Sequence, residues 1–253
     1  MIRGEPEAGR ALRVLRRSLF TAIALALGGC NPIYYAPNTQ NVLIAPQRGD
    51  LSATAAADGN RVELQAAYAV TDAVSLQLNA GRYEPDELDN GDGGSGDFFE
   101  AGGGYFSPLQ GNFAWEIHAL LGFGNLENHF PSTVDANPGT TGEITADLLR
   151  YGIQPAIGYR SKFFEAAVSS RLLGLRYRNV DGSLVYEGED QVQVLGEGKS
   201  YVLVEPAITV RAGLERIKLQ FQTSRSFNVT DRDFRQDESM ATFGVVVELP
   251  TRR

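Results

Sequence analysis

The 253-residue chain contains one cysteine, three lysines (Lys162, Lys199, Lys218), two histidines and one tryptophan. A lone Cys30 permits no intramolecular disulfide and no thiolate metal site, so packing and backbone pairing must hold the fold. His118 and His129 form no metal-spaced cluster, and no nucleotide loop or nucleophile elbow is present. No metal and no cofactor is expected. Long apolar runs are missing too: Leu19–Leu27, about ten residues, falls well short of the ~20 that a transmembrane helix needs. Positive charge is scarce. Residues 1–29 hold five arginines and two glutamates, which leaves the remainder with 18 basic and 29 acidic side chains, a net charge of −11. That balance sets a nucleic-acid partner aside.

What is present begins with Leu27-Gly28-Gly29-Cys30, preceded by Arg13, Arg16 and Arg17 and the short apolar run. Basic residues, a short apolar core and small residues before the cysteine fit a cleaved export signal. The four residues resemble the lipobox of bacterial lipoproteins. The resemblance implies removal of residues 1–29 and a Cys30 bearing thioether-linked diacylglycerol and an N-acyl chain such as palmitate. Three chains exceed the two signals that give stable anchoring. Asn31 replaces the aspartate that some Gram-negative bacteria read at this place as inner-membrane retention, so delivery to the outer membrane is permitted. The expected organisation is a signal peptide over 1–29, a lipidated linker over 30–50 containing Pro32, Pro37 and Pro46, and one all-β domain over 51–253.

Period-two alternation predicts about ten strands in that domain. The fifth is the clearest: Phe113, Trp115, Ile117, Ala119, Leu121 and Phe123 alternate with Ala114, Glu116, His118, Leu120, Gly122 and Gly124. Others are expected near 51–57, 62–70, 73–83, 98–107, 149–160, 163–177, 201–211, 215–226 and 240–249. Short turns (71–72, 107–112, 160–162, 212–215) alternate with long polar stretches (84–97, 126–143, 178–199, 227–238). Short turns on one rim and long loops on the other fit an antiparallel up-and-down β-barrel of the outer-membrane kind. An even strand number would place both termini, and the lipid, on the short-turn, periplasmic rim.

Alternation alone does not say which face is outside, because a lipocalin-like cup would turn the apolar face inward. Two features favour apolar-out. Aromatics gather near the short turns (Tyr105, Phe106, Phe113, Trp115, Tyr159, Phe163, Phe164) and near the long loops (Tyr83, Phe98, Tyr177, Tyr201, Phe227), as in interfacial girdles. The opposite face mixes glycine and alanine with Glu63, Glu100, Glu116, His118, Arg150, Glu165, Arg171, Glu205, Arg211 and Lys218, a set that suits a narrow lumen closed by paired charges. Pro155 and Pro206, inside strands, are expected to mark bulges. The stretch Tyr35–Asp50, with Pro37-Asn38 and Asn41, followed by Leu64–Asp72, resembles the outer-membrane barrel lipoproteins common in Bacteroidota.

The expected role is a lipid-anchored outer-membrane barrel with a largely plugged lumen and a structural or ligand-contacting surface, not an enzyme. Its partners are outer-membrane lipid and, at the acidic loops, a surface ligand or divalent cations. The loop Glu84–Asp97 holds six acidic residues and no basic one but offers no alternating oxygen ligands before a glycine in any calcium-loop register. Two alternatives stay open at this point: a periplasmic lipoprotein barrel enclosing a hydrophobic ligand, and a small-barrel surface hydrolase using His129 near Glu127, Ser132 and Asp135.

Overall fold

The computed structural model describes residues 31–44, 46–131, 139–196 and 198–249. The signal segment and Cys30 lie outside the described residues. The strands are β1 (Leu51–Ala57), β2 (Arg61–Ala69), β3 (Val74–Tyr83), β4 (Gly93–Pro108), β5 (Phe113–Phe130), β6 (Gly142–Arg160) and β7 (Phe164–Gly182). There follow a small hairpin of β8 (Val185–Tyr186) and β9 (Glu189–Asp190), a helical turn α1 (Gln191–Gly196), then β10 (Ser200–Gly213), β11 (Ile217–Arg225), β12 (Phe227–Asn228) and β13 (Ser239–Leu249). Each long strand pairs antiparallel with the next, and β13 pairs with both β11 and β1. The result is the expected all-β fold, a closed ten-stranded up-and-down barrel.

Side-chain exposure resolves which face meets the surroundings. Leu64, Leu78, Phe99, Leu121, Leu219 (69 % exposed) and Phe243 point outward, while Glu63, Glu100, Arg150, Arg171 and Lys218 are buried inside. At the level of the outward apolar band the lumen is therefore lined by polar and charged side chains and is not an apolar cup. On β5 the outward apolar band runs from Phe113 to Phe123. Ten strand steps of ~3.4 Å tilted by ~40° rise ~26 Å, close to the ~25 Å apolar band of outer-membrane barrels.

Above that band the two faces exchange character. Outward positions become Asn125, Glu127, Glu143, Thr145, Asp147, Arg176 and Arg178, and inward ones become Leu126, Phe130, Ile144, Ala146, Leu173, Leu175 and Tyr177. This is the pattern of a water-soluble sheet, with its core inside and its charges outside. It explains why β4 to β7 run further than alternation predicts: the period continues through the switch with its sign reversed. Part of the sequence between 93 and 97, 124 and 130, 142 and 148, and 178 and 182, expected as loop or strand end, is thus strand. Meanwhile β1, β2, β3, β11 and β13 span only seven to eleven residues, so the wall is tall on one side and low on the other.

Three expectations change in detail. The upper aromatic belt is mostly internal: Tyr177 and Tyr201 are buried, and Phe98 lies inside against Arg150, its ring centroid 5.2 Å from the guanidinium. Phe106, expected in the lower belt, is also buried inside, whereas Tyr105, Phe113, Trp115, Phe163 and Phe164 are exposed as expected. Pro155 and Pro206 cause no register shift; each occupies an exposed outward position, and the shift between β6 and β7 falls at Thr145/Asp147.

Candidate functional site: an occupied lumen

The barrel's interior is filled by the chain's own N-terminal segment. Residues 32–44, expected to be part of a linker, run through the lumen from the long-loop rim to the short-turn rim. At the long-loop rim the Ile33 N–H donates to Asn128 Oδ1 (2.9 Å), the Tyr34 hydroxyl bonds Gln191 Oε1 (2.8 Å), and Tyr177 donates its hydroxyl to the Tyr34 carbonyl (2.8 Å). Tyr34, Tyr177, Tyr201 and Phe234 form an aromatic cluster there, with Tyr201 and Phe234 4.3 Å apart. At the other end Val42 and Ile44 pack on Ala156 and Ala167, and Leu43 packs on Ala67, Ala69 and Phe106. Gly49 (φ 85°) then supplies the left-handed turn that reverses the chain into β1, its N–H donating to the Ala69 carbonyl at 2.7 Å.

At Tyr35 the segment forms a parallel bridge to Gln236, the Tyr34 N–H donating to the Arg235 carbonyl (2.9 Å) and the Asp237 N–H to the Tyr35 carbonyl (2.9 Å); further along, its backbone polar groups need other partners. Wall side chains supply them. The Thr39 N–H meets the Glu63 carboxylate (2.9 and 3.1 Å), and the Leu43 N–H meets that of Glu116 (3.2 Å to both oxygens). Gln222 imitates a strand neighbour: its Oε1 accepts the Gln40 N–H (2.6 Å) and its Nε2 donates to the Gln40 carbonyl (2.9 Å). Cations serve the carbonyls. Arg61 donates to Pro37 (2.6 Å), Arg171 to Asn38 (3.1 Å) and Thr39 (3.0 Å), Arg211 to Val42 (2.9 Å) and Arg160 to Ile44 (3.1 Å), while the neutral Gln154 donates to Asn41 (2.7 Å). Pro37 carries no N–H and so needs no partner for one.

Behind these contacts the charges fall into two groups. In the middle of the lumen Arg150 pairs with Glu100 (2.8 Å), and Arg171 lies 3.8 Å from Glu100 and 4.0 Å from Glu205. Arg150 and Arg171 both donate to Asn38 Oδ1 at 2.7 Å, so one amide side chain bridges two guanidiniums. Toward the short-turn rim Glu165 receives Lys218 (3.1 Å), Arg211 (3.3 Å) and Arg160 (3.4 Å), and Glu248 receives Lys218 (2.6 Å) and Arg160 (2.9 Å). Glu63, Glu100, Glu116, His118, Arg150, Glu165, Arg171, Glu205, Arg211 and Lys218 are all buried. Sequence reasoning missed what they hold: the segment itself, the amides Gln40, Gln65, Gln154 and Gln222, and the rim residues Arg61, Arg160 and Glu248. The signal that pointed there was the uncharged polar run Asn38-Thr39-Gln40-Asn41 between an aromatic pair and an aliphatic trio.

The histidines take separate places. His118 is buried, its Nε2 2.8 Å from Ser75 Oγ, and it does not share a bond with Glu116, which is committed to Leu43. No cleft among those described reaches it. His129 lies on the outward side of β5 above the apolar band, with its ring beside Gly93; Glu127 is exposed on the same face, and Ser132 and Asp135 lie outside the described residues. The clefts at the two rims measure about 50 Å³, beside Tyr34 and Arg150, and about 90 Å³, beside Leu43 and Glu248. At ~30 Å³ per water each holds a few solvent molecules at most.

No family model and no curated protein matches the chain. Similar folds occur among solved structures: LpxR from Salmonella typhimurium at 12% identity over 80% of this chain and 100% of that one, TM-score 0.34. The NanC porin follows at 9% identity, 80% and 99% coverage and TM-score 0.35, and OmpT, an outer membrane protein of Vibrio cholerae, at 8%, 79% and 95%, TM-score 0.24. These likenesses concern the fold alone. One expectation is corrected: a barrel of this kind hosts catalytic as well as structural functions, so the expectation that this chain is not an enzyme does not stand. In architecture, the chain is an outer-membrane-type β-barrel whose lumen is occupied by its own N-terminal segment.

Proposed function

We propose that the protein is a lipid-anchored outer-membrane barrel, acylated at Cys30, closed to solute by residues 32–44, and presenting its tall wall and long loops outside the cell as a surface for a ligand or partner. The observation that carries this reading is the exchange of polarity along β5, β6 and β7, where outward Phe123 gives way to Asn125 and Glu127 while inward Arg171 gives way to Leu173 and Leu175. Lipid explains the lower part and water the upper part. The resemblance of Leu27–Cys30 to a lipobox supports the anchor, and that of Tyr35–Asp50 to the Bacteroidota barrel lipoproteins agrees with it.

The test is fractionation of the full chain beside a Cys30→Ala variant exported by an ordinary signal. Both are expected in the outer-membrane fraction with a gel mobility that changes on heating, and only the wild type carries acyl mass on its N-terminal peptide. A variant that is soluble in the periplasm overturns the membrane-spanning reading, and an unacylated wild type overturns the anchor. Low ion current through the purified wild type in a planar bilayer, against a larger current after deletion of residues 32–44, checks the closed lumen.

A further inference from the structure

From the direction in which residues 32–44 cross the lumen, we infer that the lipid on Cys30 emerges at the long-loop rim, in the outer leaflet of the outer membrane, and that the protein is displayed as a surface lipoprotein. The inference rests on the acylation and orientation proposed above, and it reverses the expectation of a periplasmic lipid. That expectation followed from the strands alone, since β1 begins and β13 ends at the short-turn rim. The path of the N-terminal segment undoes it. Ile33 is held by Asn128 and Tyr34 by Gln191 and Tyr177, all at the long-loop rim, and at Leu43 and Ile44 the chain reaches the level of Ala69 and Arg160.

Covalent reach keeps Cys30 on that side. Cys30 precedes Pro32 by two residues, and two Cα steps span at most ~7.6 Å. The opposite rim lies at least the ~26 Å height of the apolar band away. The same reach suffices for an anchor above. Asn128 stands five strand steps past Phe123, a rise of ~13 Å over the apolar edge, and the headgroup layer occupies ~5–7 Å of that height. From Ile33 back to Cys30 the chain extends up to ~11 Å. An acylated Cys30 can therefore place its chains in the outer leaflet while Tyr34 stays latched in its aromatic cluster; the inner leaflet is out of reach unless the whole segment leaves the lumen and its hydrogen bonds to Glu63, Gln222 and Arg171 are broken.

Two epitope insertions in the full-length protein test this, one between Asn31 and Pro32 and one between Glu87 and Leu88 in the loop after β3, each probed with antibody on intact and on permeabilised cells. Labelling of both on intact cells, with acyl mass on the N-terminal peptide, is the expected result. Labelling of the loop on intact cells with the N-terminal insertion reached only after permeabilisation overturns the inference and leaves the proposed function standing. If neither is reached until permeabilisation, the orientation in the proposed function fails and the inference falls with it. Should the N-terminal insertion disturb folding, Ile33→Cys labelled by a membrane-impermeant maleimide reads the same position, because an acylated Cys30 offers no thiol.

Discussion

Replacing Arg171 by Met tests how the lumen holds its occupant. The side chain is fully buried and gives four hydrogen bonds: to Gln154 Oε1 (2.8 Å), Asn38 Oδ1 (2.7 Å), the Asn38 carbonyl (3.1 Å) and the Thr39 carbonyl (3.0 Å). Not all of that loss is uncompensated. Asn38 Oδ1 keeps Arg150 (2.7 Å), the Thr39 carbonyl keeps Gln65 Nε2 (2.6 Å), and Glu100 keeps both Arg150 and Asn79. What is stranded is the Asn38 carbonyl, Gln154 Oε1 and much of the counter-charge of Glu205, which retains Ser226 at 3.0 Å. Removing one member of a buried pair costs ~3–5 kcal/mol, and with these remaining partners the lower end, ~3 kcal/mol, applies. Methionine replaces most of the volume, so the cost falls on polar partners and not on a cavity. If release of the segment is a local opening, amide exchange at Thr39, Gln40 and Leu43 should accelerate by roughly a hundredfold, at ~1.4 kcal/mol per decade. Exchange mass spectrometry in detergent or nanodiscs reads the 38–44 peptide, heat-dependent mobility confirms that the barrel persists, and Arg176→Met, on the exposed face, serves as control. A folded Arg171→Met barrel with unaltered exchange across 39–43 would refute the argument that wall cations hold the segment.

Other substitutions probe the remaining layers. A Cβ on Gly158 would approach Ile44 to 2.8 Å, so Gly158→Leu should destabilise the barrel by ~1–3 kcal/mol through overpacking, and adding Ile44→Ala should recover much of it in a double-mutant cycle followed by denaturant unfolding. Arginine at outward Ile117, near mid-height of the apolar band, should cost ~2–4 kcal/mol in lipid vesicles, whereas Glu127→Arg, above it, should cost ~0–1; equal costs would mean that the lipid boundary is misplaced. Tyr34→Phe removes the 2.8 Å bond to Gln191 and should loosen the upper latch by ~1 kcal/mol, visible as faster exchange at Ile33 and Tyr34 with no change at Leu43.

The transmembrane part was legible because each of its strands obeys one rule: apolar outward, polar inward. Phe113 to Phe123 state that rule unambiguously, and the charges Glu100, Arg150, Arg171 and Glu165 fall on the opposite parity. The upper wall obeys the inverse rule, and a polar stretch such as Leu126–His129 reads as loop until the partner strand shows Leu126 and Ala146 meeting on the inside. The lumen segment was hidden for a different reason. Its hydrogen bonds run to residues as far apart in sequence as Gln40 and Gln222, and nothing periodic in Pro37–Ile44 announces them. A hint was available in the wall: inward Gly158, Ala156 and Ala167 leave room that the charges alone do not fill, and Ile44 fills it.

A strand-like segment passing through a ring of strands also constrains the order in which the molecule can be made. The segment leads through a short turn into β1, whereas the partner of β1 across the closing seam, β13, is the last of the described strands; the seam runs from Leu51 opposite Leu249 to Ala57 opposite Phe243. A finished ring would have to admit Tyr34 and Tyr35 through a passage lined by Arg150, Arg171 and Phe98. A growing sheet can instead curl round the segment, collecting its hydrogen bonds strand by strand as Glu63, Asn79, Glu116, Gln154, Arg171 and Gln222 arrive in sequence order. The occupant then acts as a mandrel for assembly, and the joining of β13 to β1 becomes the step that seals it in.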